Sequence, residues 1–510
     1  MITHAYLKYA MALLLEENEL SEEREMTFGH IKREIARGLE AFSVKPMENC
    51  VGKDEVRFDF VNEQNKAPQF VYLSPNVVAT EMNAANLYKA AKKICEMTSD
   101  LCLEKKDKVT QSQIPTVGEF CSFSDTGNIG RGKPEASNLS ICLGLIMSTT
   151  PLKPCLQYMS GGNGKISTEN VCLIPDLDIP QLVDFIKLFK RLRLQKLSDL
   201  MMGKVEVLTN DTYKPKRPRL FCGNFPNAPR SSALGSVALL GAIGEMVKEK
   251  EVSELACRVL DSFKGHNFYA FRYGNAQIFS FNHHIIELAK ESHLRSVVDS
   301  VYYISLYNQG PRRKGNMSEY QKLDLFVSRF LQLFNRPAFR DFLSFRAEYP
   351  SELETLLKTY FVHMEHISED IVRSAKELGR WLNTVAYRVA KAETKNDNEQ
   401  YNERLRAAKA KVLVELESSI FASKSADALI AHTIARAGRL SATDAPAEAS
   451  LFMEKTASGA LSLEQAKNLL IAFSRLKSTL NKSSVDEDVS NDSSTEETET
   501  ETIATDYSNI

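Results

Sequence analysis

The chain has 510 residues, with 64 Lys and Arg against 66 Asp and Glu and a formal net charge of -2. This balance argues against a uniformly basic nucleic-acid binder and against an acidic solvating chain, and a hydrophobic fraction of 43% is typical of globular proteins. The length predicts roughly two to four packed domains. The sequence contains no apolar run long enough for a membrane span. Nine cysteines, with no C-x-x-C spacing, predict reduced thiols in a cytoplasmic protein.

The first three hundred residues alternate between helical and strand patterns. Residues 1 to about 45 predict helices, with Ile31, Ile35 and Leu39 at helical spacing. The alternation of Val56, Phe58 and Phe60 with polar residues predicts a half-buried strand. Further strands are predicted at PQFVYLSP, KVEVLTN, NFYAFRY and NAQIFSFN, further helices at AANLYKAAKKICEM and DIPQLVDFIKLFKRLRLQKL, and long loops at SDTGNIGRGKPEASN and YMSGGNGKISTEN.

From about Met317 the strand signal disappears and apolar residues recur at helical intervals. Ser368 is a predicted N-cap, and Ser462 with Gln465 predicts a capping box. Helices joined by short loops are typical of an antiparallel bundle. Residues 482–510 hold one Lys and nine acids with little to bury, which predicts a disordered acidic tail.

The predicted fold class is therefore α+β, with an irregular mixed α/β N-terminal region, an all-α C-terminal helical bundle and a disordered acidic tail. The predicted domains are a mixed region at 1–305, a helical connector at 306–363, a bundle at 364–480 and the tail at 481–510.

One glycine-rich segment resembles a phosphate-binding loop but lacks its chemistry. In MSGGNGKIS, Met159 stands where a Walker A loop needs Gly, and Ile166 stands where it needs a hydroxyl to bind Mg²⁺. We therefore reject a nucleotide hydrolase. The remaining backbone can approach a partner closely, as a groove-reading loop does, although an ordinary tight turn between strands is the commoner explanation. This segment comprises Gly161, Gly162, Asn163, Gly164 and Lys165.

No pattern of catalytic residues stands out. His283 and His284 lie on a strand-like run, and His363 and His366 are three residues apart on a predicted helix, but neither pair matches a zinc-binding motif. The sequence has no nucleophile elbow. We expect no metal, no cofactor and no enzymatic activity. The alternative is a nucleic-acid processing enzyme that uses one of these histidine pairs to bind a metal.

Basic residues cluster between Lys187 and Arg230, where 11 Lys and Arg face only three acids. Tyr213, Phe221 and Phe225 interleave with them, and prolines keep the stretch extended. Such a segment can follow a phosphate backbone, and a solvated basic face is the alternative. The near-neutral total charge is therefore the sum of a basic folded region and the acidic tail. The predicted DNA-backbone residues, including a second cluster before the bundle, are Lys187, Lys190, Arg191, Arg193, Lys214, Lys216, Arg217, Arg219, Arg230, Arg312, Arg313 and Lys314.

Within the bundle, SEDIVRSAKELGRWLNTVAYRVAKAE places basic residues on one helical face, opposite an apolar stripe. Glu369 and Glu377 dilute that face, so an ordinary solvated helix surface is the alternative. The predicted strand-contacting residues here are Arg373, Lys376, Arg380 and Arg388.

This order of a mixed region with Gly/Asn/Lys loops, a basic middle and a helical bundle resembles the large subunit of a type I CRISPR surveillance complex (Cascade), most closely subtype I-B. The resemblance covers most of residues 1–480 as an architecture and rests on no strict motif. It implies a non-catalytic antiviral defence protein that binds the 5′ end of the guide RNA and recognises the short PAM in double-stranded target DNA. The resemblance further implies that the protein starts strand opening into an R-loop and helps recruit a separate helicase-nuclease.

The resemblance also implies residue roles and partners. Gly161 to Lys165 would enter the minor groove at the PAM, and Asn128, Arg131 and Lys133 would contact the guide-RNA handle or the PAM-proximal duplex. The basic stretches would hold target DNA or the displaced single strand. The partners would be backbone, handle-binding and small subunits. Met364, or alternatively Met317, could start a separate small subunit from within the same gene.

Overall fold

The computed structural model describes residues 4–46, 55–60, 71–72, 81–120, 134–162, 165–192, 202–207, 213–215, 232–272, 274–291, 294–295, 297–298, 328–329, 331, 339–343, 348–394 and 401–477. The chain forms two compact units, the first drawn mainly from residues before 303 and the second mainly from residues after 336. The finer boundaries predicted above stay predictions, and the predicted acidic tail lies outside the described residues.

Three helices of the first unit pack around an almost fully apolar helix, α1. Its Tyr6, Tyr9 and Leu13 are completely buried, because α2, α4 and α5 pack around it. A helix that is apolar on all sides is a core helix. The helices are α1 (Ala5–Glu17), α2 (Phe28–Ala41), α3 (Glu81–Glu96), α4 (Asn138–Thr149), α5 (Ile179–Leu192), α6 (Ser232–Met246), α7 (Ser253–Ser262) and α8 (His283–Lys290).

The strands of the first unit form three sheets. A five-stranded sheet has the order β3-β1-β2-β8-β9, a four-stranded sheet has the order β11-β10-β7-β6, and β4 pairs with β5. The strands are β1 (Ser43–Pro46), β2 (Glu55–Phe60), β3 (Val71–Tyr72), β4 (Lys106–Lys108), β5 (Glu135–Ser137), β6 (Cys155–Gly162), β7 (Lys165–Pro175), β8 (Met202–Val207), β9 (Tyr213–Pro215), β10 (Asn267–Arg272) and β11 (Asn275–Ser280). The mixed α/β character predicted for this region is confirmed.

Two local predictions in this unit are wrong. The segment YMSGGNGKISTEN was predicted as a loop, but β6 extends to Gly162 and β7 begins at Lys165. His283 and His284 were placed on a strand-like run, but they open α8, because the side chain of Asn282 accepts a hydrogen bond from the His284 N–H and caps the helix.

The described residues of the second unit are helical or connect helices, apart from one isolated bridge and the strand residues 161–162 and 165–166, which also belong to this unit. Its long helix α11 packs against α12, α13, α14 and α15, so it forms the centre of the bundle. A π-helical turn spans Tyr360–Met364. The helices are α9 (Phe339–Leu343), α10 (Leu353–Thr359), α11 (Glu369–Glu393), α12 (Tyr401–Ala422), α13 (Ala426–Ser441), α14 (Ser450–Ala457) and α15 (Leu463–Ser474). The predicted C-terminal bundle is confirmed.

The predicted caps differ in outcome. Ser462 accepts a hydrogen bond from the Gln465 N–H, and the Gln465 side chain accepts one from the Ser462 N–H, so the predicted capping box is confirmed. Ser368 occupies the N-cap position of α11, but its side chain makes no capping hydrogen bond.

Close helix packing holds α11 on α15. A Cβ atom built on Gly379 would lie 2.5 Å from Cβ of Phe473, so only glycine fits at this crossing. The chain is also tied at the end of α15, where the Tyr349 N–H donates to Arg475 O (2.7 Å) and the Lys477 N–H donates to Tyr349 O (2.8 Å). None of the helices in the described part of the chain is long and apolar enough to cross a bilayer.

Candidate nucleic-acid interface

The described residues of the predicted groove-reading segment lie at the end of β6 and the start of β7. β6 and β7 are neighbouring strands joined by Asn163 and Gly164 alone, and Asn-Gly is a preferred pair for two-residue hairpin loops. Gly161 and Gly162 end β6 and Lys165 begins β7. Asn163 and Gly164 lie outside the described residues. The structure therefore brings the two ends of the predicted segment together on adjacent strands.

The hairpin is an extension of a well-packed sheet. β7 pairs with β10 in antiparallel register, with Phe271 opposite Cys172 and Phe268 opposite Pro175. The ring of Phe268 packs edge-on against Phe263, with 4.6 Å between their centroids, and against Phe281 at 4.9 Å. Burial of these aromatic rings stabilises the packing around β10.

The basic residues on α5 are largely neutralised within the protein. Lys190 Nζ lies 3.0 Å from Glu16 Oε1 and 2.5 Å from Glu17 Oε1, and Lys187 Nζ lies 3.6 Å from Glu16 Oε2. Burial opposes the charge of Lys190, but its hydrogen bonds to Glu17 and Glu16 outweigh that effect and raise its pKa. Arg191 is exposed and has no carboxylate partner among the residues described.

A cleft of about 520 Å³ adjoins these ion pairs, between the end of α1 and α5. Nearby, Glu34 on α2 is only 3% exposed. Burial and the charge of Glu17 raise the pKa of Glu34 to about 7, although Arg37, whose Nη1 is 3.2 Å from Glu34 Oε2, opposes the shift. This corner of the first unit thus combines partly buried charges of both signs.

The other predicted contacts outside the bundle lie mostly beyond the described residues. Lys214 lies in β9, where only the backbone is described. The remaining predicted residues lie outside the described part of the chain: Asn128, Arg131, Lys133, Arg193, Lys216, Arg217, Arg219, Arg230, Arg312, Arg313 and Lys314.

On the bundle face, most of the predicted basic residues have acidic partners. The Arg373 guanidinium lies 3.6 Å from both Glu369 and Asp370. Lys376 pairs with Glu354, and Arg380 lies 3.5 Å from Glu377. These ion pairs are typical of a solvated helix surface, and the acidic partners occupy the positions that a phosphate would take.

A different set of cations in the bundle is exposed without such partners. Arg388 and Lys391 lie near the end of α11, and Arg404 and Lys411 lie seven residues apart on α12, the helix that packs against it. No carboxylate lies within 4.0 Å of any of them among the described residues. We call these four residues the unpaired cation set. The sequence places Arg388 and Lys391 on the basic face of α11, with Arg388 among the predicted strand contacts, and the signal for the α12 pair is its i, i+7 spacing.

The histidines differ from the predicted arrangement. His366 has a left-handed backbone with φ of 56°, whereas His363 belongs to the π-helical turn, so the two do not share a helical face. The rings of His283 and His284 lie 3.7 Å apart at the start of α8. Within the described residues, no group of three or more His, Cys, Asp or Glu side chains is arranged to hold a metal ion.

Comparison with known protein families shows which family the chain belongs to. Residues 4–477 match the family described as CRISPR-associated protein Csp2. The chain belongs to this family. The match to Csp2 spans both compact units, from the start of α1 to the end of α15, so it covers the hairpin, the α5 charges and the bundle alike. No curated protein and no solved structure is detectably similar to the chain.

Proposed function

We propose that this Csp2-family chain is the non-catalytic large subunit of a type I Cascade complex, most like subtype I-B. In that role it binds the 5′ end of the guide RNA, recognises the PAM in duplex DNA, starts strand opening and helps recruit a separate helicase-nuclease. The observation that carries the proposal is the family match over residues 4–477. The order of a mixed α/β unit and a helical bundle supports it.

The proposed PAM-reading element is the end of the β6–β7 hairpin. Glycines at 161, 162 and 164 leave room for the backbone to approach a groove, since they carry no side chain. An asparagine amide or a lysine ammonium can donate to the N3 and O2 acceptors that A·T pairs present in the minor groove. Guide–target base pairing would supply the remaining sequence specificity. Asn128, Arg131 and Lys133 are the proposed contacts to the guide handle.

Whether a basic residue already has an acidic partner decides how strong a candidate it is for binding phosphate. A lysine already paired with a carboxylate must break that pair to bind phosphate, whereas an unpaired cation gains binding energy from released counterions. Lys187 and Lys190, with Glu16 and Glu17 beside them, are therefore weaker candidates than Arg191. In the bundle, the unpaired cation set is a stronger candidate for holding single-stranded DNA than the paired Arg373, Lys376 and Arg380.

The decisive experiment is to purify the complex expressed from the chain's operon and to sequence the RNA that travels with it. A defined guide RNA and specific binding to a matching duplex are expected. A library of duplexes with randomised flanking bases then gives the PAM preference. Asn163→Ala and Lys165→Ala should change that preference, and Lys106→Ala, which removes an exposed charge on β4, is the matched control. An unchanged preference in both hairpin variants would remove this segment from the interface.

The absence of catalysis is part of the proposal and has its own test. The isolated chain, incubated with labelled DNA or RNA and Mg²⁺ or Mn²⁺, should leave the strands intact. Cleavage that disappears on His363→Ala or His283→Ala substitution, together with a stoichiometric bound metal, would instead establish the nucleic-acid processing enzyme.

A further inference from the structure

Two cysteines lie side by side inside the four-stranded sheet. Cys155 begins β6 and Cys172 lies on β7, and their Sγ atoms are 3.2 Å apart. Both residues are completely buried, and neither forms a disulfide. A disulfide bond has an S–S length of about 2.05 Å, so a short further approach of the two sulfur atoms would suffice to join them.

The strand register suits such a bond. The Leu173 N–H donates to Pro154 O at 2.9 Å, which makes Pro154 and Leu173 a hydrogen-bonded pair. Cys155 and Cys172 are therefore the adjacent, non-hydrogen-bonded pair, in which opposite Cα atoms are about 4.5 Å apart. That separation lies within the range over which disulfides close without backbone movement.

The surroundings favour ionisation of one of the two thiols. Burial opposes ionisation of Cys172, but a hydrogen bond from Cys155 and the charge of Lys153 outweigh it and lower the pKa of Cys172. Burial raises the pKa of Cys155. Lys153 is itself completely buried; burial lowers its pKa, the two neighbouring sulfur atoms oppose that shift, and its amino group donates to Met147 O. A thiolate is the attacking species in thiol–disulfide exchange.

We propose that Cys155 and Cys172 are an oxidisable pair that forms a disulfide across β6 and β7 on exchange with a low-molecular-weight disulfide such as oxidised glutathione. The Cys172 thiolate attacks the small disulfide, forms a mixed disulfide and expels one small thiolate. Cys155 then loses its proton, attacks Cys172 Sγ and expels the second small thiolate. The two protein thiols lose two electrons and two protons in total, and the small disulfide is reduced to two thiols.

The bond would act on the strands that carry the proposed PAM-reading segment. Cys155 and Cys172 lie at one end of the β6–β7 ladder, and residues 161–165 lie at its other end. A covalent link between opposite residues fixes the pairing of the two strands. Because both thiols are buried, exchange requires local opening of the sheet, so it is slow and is best measured at equilibrium.

The test is equilibration of the full chain in glutathione buffers of graded potential, followed by acid quenching, alkylation and mass spectrometry. We expect the native chain to lose two hydrogens through a link between the peptides that contain Cys155 and Cys172. The effective concentration of the two thiols in the native chain should exceed that in urea by at least about tenfold, because the sheet holds them together.

Matched variants complete the test. Cys155→Ser and Cys172→Ser should abolish the link, and Cys155→Ala serves if the serine variant does not fold. Cys142→Ser removes another buried thiol, on α4, and should leave the link unchanged. The proposal is overturned if the native chain forms only mixed disulfides with glutathione, or if its effective concentration equals that of the chain in urea.

Discussion

Arg475 and Glu417 form a two-point ion pair in the core of the C-terminal unit. Arg475 Nε lies 2.7 Å from Glu417 Oε1 and Nη2 lies 2.9 Å from Oε2. Nη1 of Arg475 also donates to Leu343 O at 2.9 Å and to the Tyr349 hydroxyl at 3.0 Å. The arginine is 1% exposed. This one side chain therefore connects α12, the end of α15 and the residues around α9.

Removing one partner of this pair should destabilise the unit strongly. Glu417→Gln leaves a buried guanidinium without its counter-charge, and we expect a loss of about 3–5 kcal/mol in the free energy of unfolding. The double variant Glu417→Leu/Arg475→Met should recover much of that loss, because apolar replacement of a buried pair is often tolerated. Trp381 on α11, the sole tryptophan, reports unfolding of this unit in urea by its fluorescence. A loss below about 1 kcal/mol in Glu417→Gln would contradict the expectation.

The smallest folding fragment should begin before Phe339, not at Met364. A fragment of residues 364–477 lacks Tyr349, which bonds Arg475, and Phe361, whose ring centroid lies 5.9 Å from that of Phe473. We expect residues 337–477 to unfold cooperatively and residues 364–477 to be partly unfolded, as measured by the same tryptophan signal. A product from a start at Met364 should then be unstable, whereas one from Met317 should fold. Equal stability of the two fragments would contradict this account.

Unpaired and paired cations should differ in the salt dependence of DNA binding. Each phosphate contact to single-stranded DNA contributes about 0.7 to the slope of log affinity against log salt. The slope is negative, and the variant Arg404→Ala/Lys411→Ala should reduce its magnitude by about 1.4 and weaken binding. The matched control Arg373→Ala/Lys376→Ala also removes two positive charges, but these are paired with acids, and it should change the slope little. An equal change in both variants would show that ion pairing does not decide which residues bind.

Stability of the first unit should depend on pH through Glu34. Its pKa is raised from 4.5 to about 7 in the folded chain, so the folded state binds more protons than the unfolded state between these values. The free energy of unfolding from this group therefore falls as pH rises from about 4.5 to 7, by at most about 1.4 kcal/mol per pH unit. Urea unfolding followed by far-UV circular dichroism measures it at each pH. Glu34→Gln should remove this part of the slope, and Glu40→Gln, on the exposed side of the same helix, should not.

Local sequence patterns predicted much of the fold because the interactions behind them join residues that are close in sequence. The periodicity of α2, the alternation in β2 and the Ser462–Gln465 capping box all involve neighbours in sequence. The strands β6 and β7 extend further into the glycine-rich segment than the predicted loop allowed, although their two-residue connection agrees with the alternative of an ordinary tight turn between strands. The requirement for Gly379 was also hidden, since the atom it must avoid belongs to Phe473.

The predicted binding surface depended on charge counts, which do not show how charges pair in the fold. Lys190 lies 174 residues from Glu16 along the chain, yet the two form an ion pair. A count of basic residues in α5 therefore overstates the charge available to a ligand. Among the described residues, no carboxylate pairs with Arg404 or Lys411, and of this arrangement the sequence shows only their spacing.

The two-residue connection between β6 and β7 limits how this protein can diversify. Side chains on paired strands alternate between faces, so inserting a single residue into either strand would move every side chain beyond it to the opposite face of the sheet. Single substitutions at residues 163–165 leave the length of both strands unchanged, so they can alter the chemistry of this segment without shifting the side chains of the sheet. A change in strand length would require simultaneous compensation in the core.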